Sequence, residues 1–161
     1  MNKKVLEAFD EKTVLVTGGA GAIGSNLIKT LSSLKTKKII ILDDYSSSYE
    51  WNTPINPKVT CIKGNILDDE KLKWAFKEKP QIIYHLAAHF ANQNSVDNPE
   101  TDLKVNGMGT LKVLEYAHLV GVERFIYASS GCGLYGADSK MPFEEHDVSM
   151  KLYTPYQVTK M

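Results

Sequence analysis

The stretch Val14 to Gly24, reading Val-Leu-Val-Thr-Gly-Gly-Ala-Gly-Ala-Ile-Gly, constrains this chain more than any other. An apolar run ends in Thr17-Gly18, and glycines stand at 18, 21 and 24 as a helix-like pattern begins. This is the wiring of a buried strand that turns straight into a helix. Gly18 permits the tight turn, Gly21 lets the backbone approach a pyrophosphate, and Gly24 lets the helix pack closely on the strand. The first N–H groups of that helix, at Ala22, Ile23 and Gly24, then face the phosphates. The spacing Gly-x-x-Gly-x-x-Gly is one residue wider at the front than the commoner dinucleotide fingerprint. Glycine triplets also occur in ordinary turns, and the flanking strand and helix select the nucleotide reading here.

A second apolar run, Ile39-Ile40-Ile41-Leu42, ends in Asp43-Asp44. A carboxylate at the tip of the second strand, about 20 residues past the glycines, is placed to accept both ribose hydroxyls of an adenosine. It repels a 2′-phosphate, and no Arg follows to offer a counter-charge. Asp44 reads as a simple turn residue before Tyr45-Ser46-Ser47-Ser48, whereas Asp43 reads as the ribose ligand. The cofactor expected is therefore NAD rather than NADP.

With 161 residues the chain suits one domain with a real core. Lys plus Arg and Asp plus Glu number 19 each, so no net field favours nucleic acid or an anionic membrane. No run approaches the roughly 18 apolar residues of a membrane span, and the first residues lack a signal peptide's apolar core. A cytoplasmic protein is expected. Cys61 and Cys132 cannot make a disulfide framework, and Cys61, inside a strand pattern, is expected to be a small buried residue. His85, His89, His118 and His146 show no metal-ligand spacing, so no metal is expected.

Strand-like runs at 13–17, 38–42, 59–63, 81–86 and 124–128 alternate with helical patterns. Several are apolar nearly throughout, which suits a parallel sheet covered on both faces. Ile23, Leu27, Ile28 and Leu31 mark the inner face of a first helix. Leu72, Ala75 and Phe76 mark a short one after the cap Asp68, and Leu103, Gly107, Leu111, Leu114 and Ala117 mark a long one from Pro99 to the stop at Gly121. Such repetition gives an α/β fold, a doubly wound parallel sheet with right-handed crossovers. The segment 44–58 reads as an irregular loop, and 137–154, which includes Asp138, as a polar excursion.

These residues together carry a resemblance. The chain is similar to the extended short-chain dehydrogenase/reductases of the nucleotide-sugar epimerase/dehydratase branch, and the matching pieces run its full length in order. After the glycine motif, Asp43-Asp44-Tyr45 resembles the ribose-binding turn, and Gly64-Asn65-Ile66 resembles the adenine-contacting segment. His85-Leu86-Ala87-Ala88 resembles the turn that lies along the cofactor, and Asn106 with Gly109-Thr110 resembles the Asn-x-x-Gly-Thr helix. Tyr127-Ala128-Ser129-Ser130 and Leu134-Tyr135-Gly136 bracket the serine loop, and Tyr156-Gln157-Val158-Thr159-Lys160 matches Tyr-x-x-x-Lys. The resemblance implies an NAD-binding Rossmann domain over residues 1–161. Gly18, Gly21, Ala22, Ile23, Gly24, Asp43, Asn65, Ile66, Leu86, Ala87, Ala88, Asn106, Tyr156 and Lys160 are then the cofactor-binding set. Asn65 departs from the family's Asp but still offers a side-chain oxygen to the adenine amino group. The serine loop is one residue longer than the common form. Aligned from its strand side the active serine is Ser130; aligned from Tyr135 the slot falls on Gly131, with Cys132 beside it.

Four residues apart, Tyr156 and Lys160 share one face of a helix. An ammonium beside a phenol favours the phenolate and draws the tyrosine pKa down from about 10. The resemblance implies that Tyr156 takes the proton of a sugar hydroxyl as hydride passes to the nicotinamide. Lys160 also holds the nicotinamide ribose, and Ser130 hydrogen-bonds the reacting oxygen. The keto-sugar then turns its other face to the reduced cofactor and takes the hydride back as the epimer. Chance pairs of Tyr and Lys at this spacing are common, but Pro155 at a first-turn position and the serines after the fifth strand favour the catalytic reading. His89 reads as a solvated loop histidine, with substrate contact as the alternative. Asn106 is expected to brace the serine loop or the cofactor.

Dehydratases of the branch carry an Asp-Glu pair after the active Ser or Thr; Gly131-Cys132 stand there instead, which favours an epimerase acting on a UDP-linked hexose. Decarboxylase and keto-reductase chemistry stay open as alternatives. Since the chain ends at Met161, directly after Lys160, it is expected to be the first part of a longer homodimeric enzyme whose substrate domain lies beyond. On its own it would bind NAD without turnover.

Overall fold

The structure is a computed structural model describing residues 6–135, 140–149 and 151–161. Five strands form one parallel sheet in the order β3-β2-β1-β4-β5. They are β1 (Thr13–Thr17), β2 (Lys38–Asp43), β3 (Val59–Lys63), β4 (Ile82–His85) and β5 (Arg124–Tyr127). Every residue of β1 is buried, as are five of the six in β2, because both strands lie inside the sheet with helices on each face. Alternation along them feeds two cores. Leu15, Ile40, Leu42 and Ile83 meet Leu72, Phe76, Val113 and Ala117 on one face. On the other, Val14, Val16, Ile39, Ile41 and Ile82 meet Ile28 and Leu31. Each Val, Leu, Ile or Phe side chain among them, when fully buried, contributes about 1.5–3 kcal/mol.

The helices are α1 (Ala22–Ser32), α2 (Asp69–Phe76), α3 (Asn92–Asp97), α4 (Pro99–Asp102), α5 (Thr110–Val120), α6 (Gly131–Leu134) and α7 (Pro155–Thr159). Between α4 and α5 the chain runs through a π-helical segment, Leu103–Gly109, with helical angles at both junctions. The expected long helix from Pro99 therefore exists, and it stops where Gly121 adopts φ 70°. The side chain of Asp68 accepts from the Glu70 and Lys71 N–H groups and starts α2, as expected. The segment 44–58 is loop apart from a 3-10 turn at Glu50–Asn52.

Three expectations fail. Cys61 is exposed, because β3 is an edge strand whose residues are nowhere fully buried. Ile23 is 73% exposed, since Gly24 and Ser25 are the first-turn residues of α1 that turn inward. Along the long helix the leucine stripe faces outward, with Leu103, Leu111 and Leu114 exposed. Of the expected face Ala117 is buried, and the rest of the inner face is Asp102, Asn106, Gly109 and Val113. Gly109 lets this face approach closely, since a Cβ would stand 2.6 Å from Cδ1 of Ile66, whose side chain would have to shift.

Candidate cofactor cleft and catalytic helix

β1 pairs with β2 on one side and β4 on the other, so the chain reverses direction across the sheet between β1 and β4. A crevice at the strand ends is expected at such a switch point. A cavity of about 320 Å³ lies there, lined by Gly18 and Gly21 after β1, Asp43 ending β2, Gly64, Asn65 and Ile66 after β3, and Leu86, Ala87, Ala88 and His89 after β4. Eight of the expected cofactor residues thus share one wall system.

Its floor is set by backbone contact. Gly18 has φ +68°, and a Cβ on it would lie 2.6 Å from the Ala87 nitrogen. A Cβ on Gly24 would lie 2.5 Å from the Gly18 oxygen, so the start of α1 sits directly on the turn. Gly21 caps α1, which leaves the N–H groups of Ala22, Ile23 and Gly24 as the first helical donors, with no acidic residue in that turn.

Asp43 is 8% exposed and already serves the protein. Its Oδ2 accepts from the Ala20 N–H at 2.8 Å, and Oδ1 accepts from the Tyr45 N–H and the Ser48 hydroxyl, both at 2.9 Å. A carboxylate has about four acceptor sites, so capacity is left for a ribose hydroxyl. The loop closes further where Asn52 Nδ2 donates to the Ala20 carbonyl. Asp44 makes the expected turn bond, accepting from the Ser46 N–H, but its other oxygen also accepts from Asn65 Nδ2 at 2.6 Å. Oδ1 of Asn65 accepts from the Leu67 N–H and keeps one lone pair.

Asn106 acts on the turn after β4. Its Oδ1 accepts from the His89 N–H at 2.8 Å, and its Nδ2 donates to the His89 carbonyl at 3.0 Å and to Oδ2 of Asp102 at 2.8 Å. It braces the turn that follows β4, whereas it makes no bond to the serine loop among the described residues. His89 lies in the loop after β4 and is half-buried. Its backbone is clamped, its Nε2 meets Asn94 Nδ2 at 3.1 Å, and its buried Nδ1 has no partner among the described residues.

Tyr156 and Lys160 lie beyond the cavity lining, one helical turn apart on and just after α7. Thr154 and Gln157 make a capping box, and Pro155 follows at the first position, which explains why so short a helix forms. The Tyr156 N–H donates to Ser95 Oγ at 3.0 Å, and Phe90 meets its ring edge-on with centroids 6.0 Å apart. From the sheet side, Tyr127 and Ser129 hydroxyls donate to the carbonyls of Thr159 and Lys160. Lys160 is 3% exposed with its Nζ 4.3 Å from the Tyr127 ring centroid. Burial pulls its pKa down to about 8, against the upward pull of Asp102. Next to it, His85 is fully buried between the hydroxyls of Thr17 (2.7 Å) and Thr110 (2.9 Å). Burial first, then Lys160, push its pKa down to about 4, so it is neutral. Ser130 precedes α6 as its cap residue. The Cys132 side chain, Gly136 and Asp138 lie outside the described residues.

The family model of the NAD dependent epimerase/dehydratase family matches residues 14–161. The chain belongs to this family. Among solved structures, an epimerase from Methanothermobacter thermautotrophicus shares 66% identity at a TM-score of 0.93, over 98% of this chain and 46% of that one. A Thermus thermophilus UDP-glucose 4-epimerase in complex with NAD shares 33% identity at a TM-score of 0.84, over 92% and 47%. The UDP-glucose 4-epimerase of Mycolicibacterium smegmatis is 35% identical across 150 residues, which are 91% of this chain and 47% of that protein. The chain thus spans about half the length of these epimerase relatives. Among the described residues no helix is long and apolar enough to cross a membrane, and no three His, Cys, Asp or Glu residues gather as a metal site.

The parts that Asp102, Thr159 and Ser95 play around this helix were not legible in the sequence, nor was the burial of His85 between two threonines. Besides local bonds, they are joined by hydrogen bonds that span 25 to 68 positions.

Proposed function

We propose that this chain is the cofactor-binding half of an NAD-dependent nucleotide-sugar 4-epimerase acting on a UDP-linked hexose. One observation carries the reading. A glycine-floored cleft with a carboxylate at its ribose end adjoins a capped helix that brings Tyr156 and a buried Lys160 onto one turn.

The donors of α1 receive the pyrophosphate, Asp43 accepts the adenosine ribose hydroxyls, and the Asn65–Ile66 segment borders the adenine. Leu86, Ala87 and Ala88 lie along the cofactor, held there by Asn106. A bound NAD would supply reversible hydride exchange with the sugar carbon. Tyr156 holds the proton of the reacting hydroxyl, moving it out and back; Ser130 donates a hydrogen bond to that oxygen. Lys160 keeps a positive charge beside the phenol and binds the nicotinamide ribose. That charge requires a pH below its pKa of about 8, so activity declines as pH rises through that value.

An epimerase is favoured over a dehydratase because Gly131, not an acid, follows Ser130 and opens α6. The names of the relatives support a UDP-hexose. A homodimer is proposed for the full-length protein, with the outward leucines of the long helix facing the second copy. The test is product analysis of the full-length protein with UDP-glucose and substoichiometric NAD. UDP-galactose without accumulating NADH is expected; a 4-keto-6-deoxy sugar as the main product would overturn the reading.

A further inference from the structure

Asp102 is a charged side chain with no exposed surface, and the chemistry above does not use it. Both of its oxygens accept hydrogen bonds, Oδ1 from the Thr159 hydroxyl at 2.6 Å and Oδ2 from Asn106 Nδ2 at 2.8 Å. It therefore joins two parts of the site that lie far apart in sequence. Through Asn106 it reaches the His89 backbone on the cofactor-side turn, and through Thr159 it reaches the residue directly before Lys160. The junction falls where α4 gives way to the π-helical segment, a backbone irregularity often found at functional sites.

Docking alone does not explain a carboxylate here. Two neutral donors repay only part of the cost of burying a charge, and an apolar pair of the same volume would dock α7 as well or better. What an apolar pair lacks is negative charge. The Lys160 Nζ lies over the Tyr127 ring of β5, and its electrostatic neighbours are His85 from β4 and Asp102 from α4, the latter hydrogen-bonded to Thr159 one residue away along the chain. Of these, His85 and the Tyr127 phenol are neutral near pH 7, with burial lowering the first pKa and raising the second.

We propose that Asp102 is a positioning residue for the catalytic helix, tying α7 to the Asn106 clamp and supplying the counter-charge that faces the Lys160 ammonium. The proposal rests on Tyr156 and Lys160 being the catalytic pair.

The test is made in the full-length protein with Asp102→Asn, which keeps shape and one acceptor but removes the charge. Two readouts are taken: the pH profile of kcat, and direct titration of the Lys160 side chain by heteronuclear NMR of lysine-labelled protein. Removing an attractive charge lowers the pKa of an ammonium, so the Lys160 midpoint and the alkaline limb should both move down by about one pH unit. At pH 8.5 kcat should fall about tenfold, with the KM for the nucleotide sugar within about twofold of the parent. Should Asp102→Asn fail to fold, Thr159→Val and Asp102→Glu decide: both keep the charge, so both should hold the parent midpoint, while Thr159→Val lowers kcat. An unchanged Lys160 midpoint in Asp102→Asn, or a lowered one in Thr159→Val, overturns the proposal. A midpoint that moves in Asp102→Asn while Tyr156→Phe stays fully active would instead retire the catalytic reading and with it the positioning role, leaving only the charge coupling between Asp102 and Lys160.

Discussion

Asp43 has one task on view and a second in the proposed function, and the two can be separated. Its carboxylate fastens the glycine turn through the Ala20 N–H and the following loop through Tyr45 and Ser48, so Asp43→Ala should weaken binding of any dinucleotide. Selectivity is the cleaner readout. NAD should bind the full-length protein at least about tenfold tighter than NADP, and Asp43→Ala should erase most of that ratio, a charged acceptor being worth about 1.5–3 kcal/mol. Calorimetry with both cofactors checks it, and equal affinities in the parent would contradict the assignment. At this scale the sequence was legible wherever a residue type stands at a fixed local spacing: Asp43 closes β2 at the cavity, and Tyr156 and Lys160 lie one helical turn apart, as their spacing predicts. Thr159 and Ser95 were opaque, because a hydroxyl signals nothing until the fold brings its partner to it from 57 or 61 positions away.

The strand-to-helix turn packs backbone directly against backbone. Gly18 and Gly121 share nearly the same left-handed backbone angle, yet a Cβ on Gly18 meets Ala87 backbone whereas one on Gly121 meets nothing within 4 Å. Gly121→Ala should therefore cost only the conformational penalty, about 1–2 kcal/mol. Gly18→Ala adds a clash between two backbone segments and should cost more than about 3 kcal/mol while abolishing NAD binding. Urea unfolding of both variants measures the difference, and equal losses would remove the close approach from the account. Elements were legible as positions more than as faces. The strand runs and the stop at Gly121 appear where the pattern put them, since a parallel sheet needs continuous apolar strands. The faces of the long helix were not, because a functional helix turns Asp102 and Asn106 inward and leaves Leu103, Leu111 and Leu114 outside. Hydrophobic periodicity assumes that burial follows hydropathy, and a buried polar network breaks that assumption. Cys61 failed for a related reason: nothing local distinguishes an edge strand from an interior one.

Across the whole molecule, the sheet brings its β1–β4 switch point, a neutral buried His85 and the α7 helix to one end. That arrangement carries a pH signature. His85 has its pKa lowered from 6.5 to about 4 in the folded state, so the unfolded chain binds the extra proton between those values. Its contribution of about 3 kcal/mol is complete above pH 6.5 and disappears as pH falls toward 4, with about 2 kcal/mol gone by pH 5. Comparing urea midpoints at pH 7 and pH 5, the parent should lose about 2 kcal/mol more than His85→Gln, which cannot titrate there. Equal losses would show that His85 is not held neutral by its surroundings. The central claim is that Tyr156 moves the proton of the reacting sugar hydroxyl next to an NAD-filled cleft. Its most direct test is Tyr156→Phe in the full-length protein, which deletes one hydroxyl and leaves the Ser95 and Phe90 contacts of α7 in place. Epimerase turnover should fall by about a hundredfold or more while NAD affinity and unfolding midpoint barely change; a Tyr156→Phe protein with parental turnover would contradict the account.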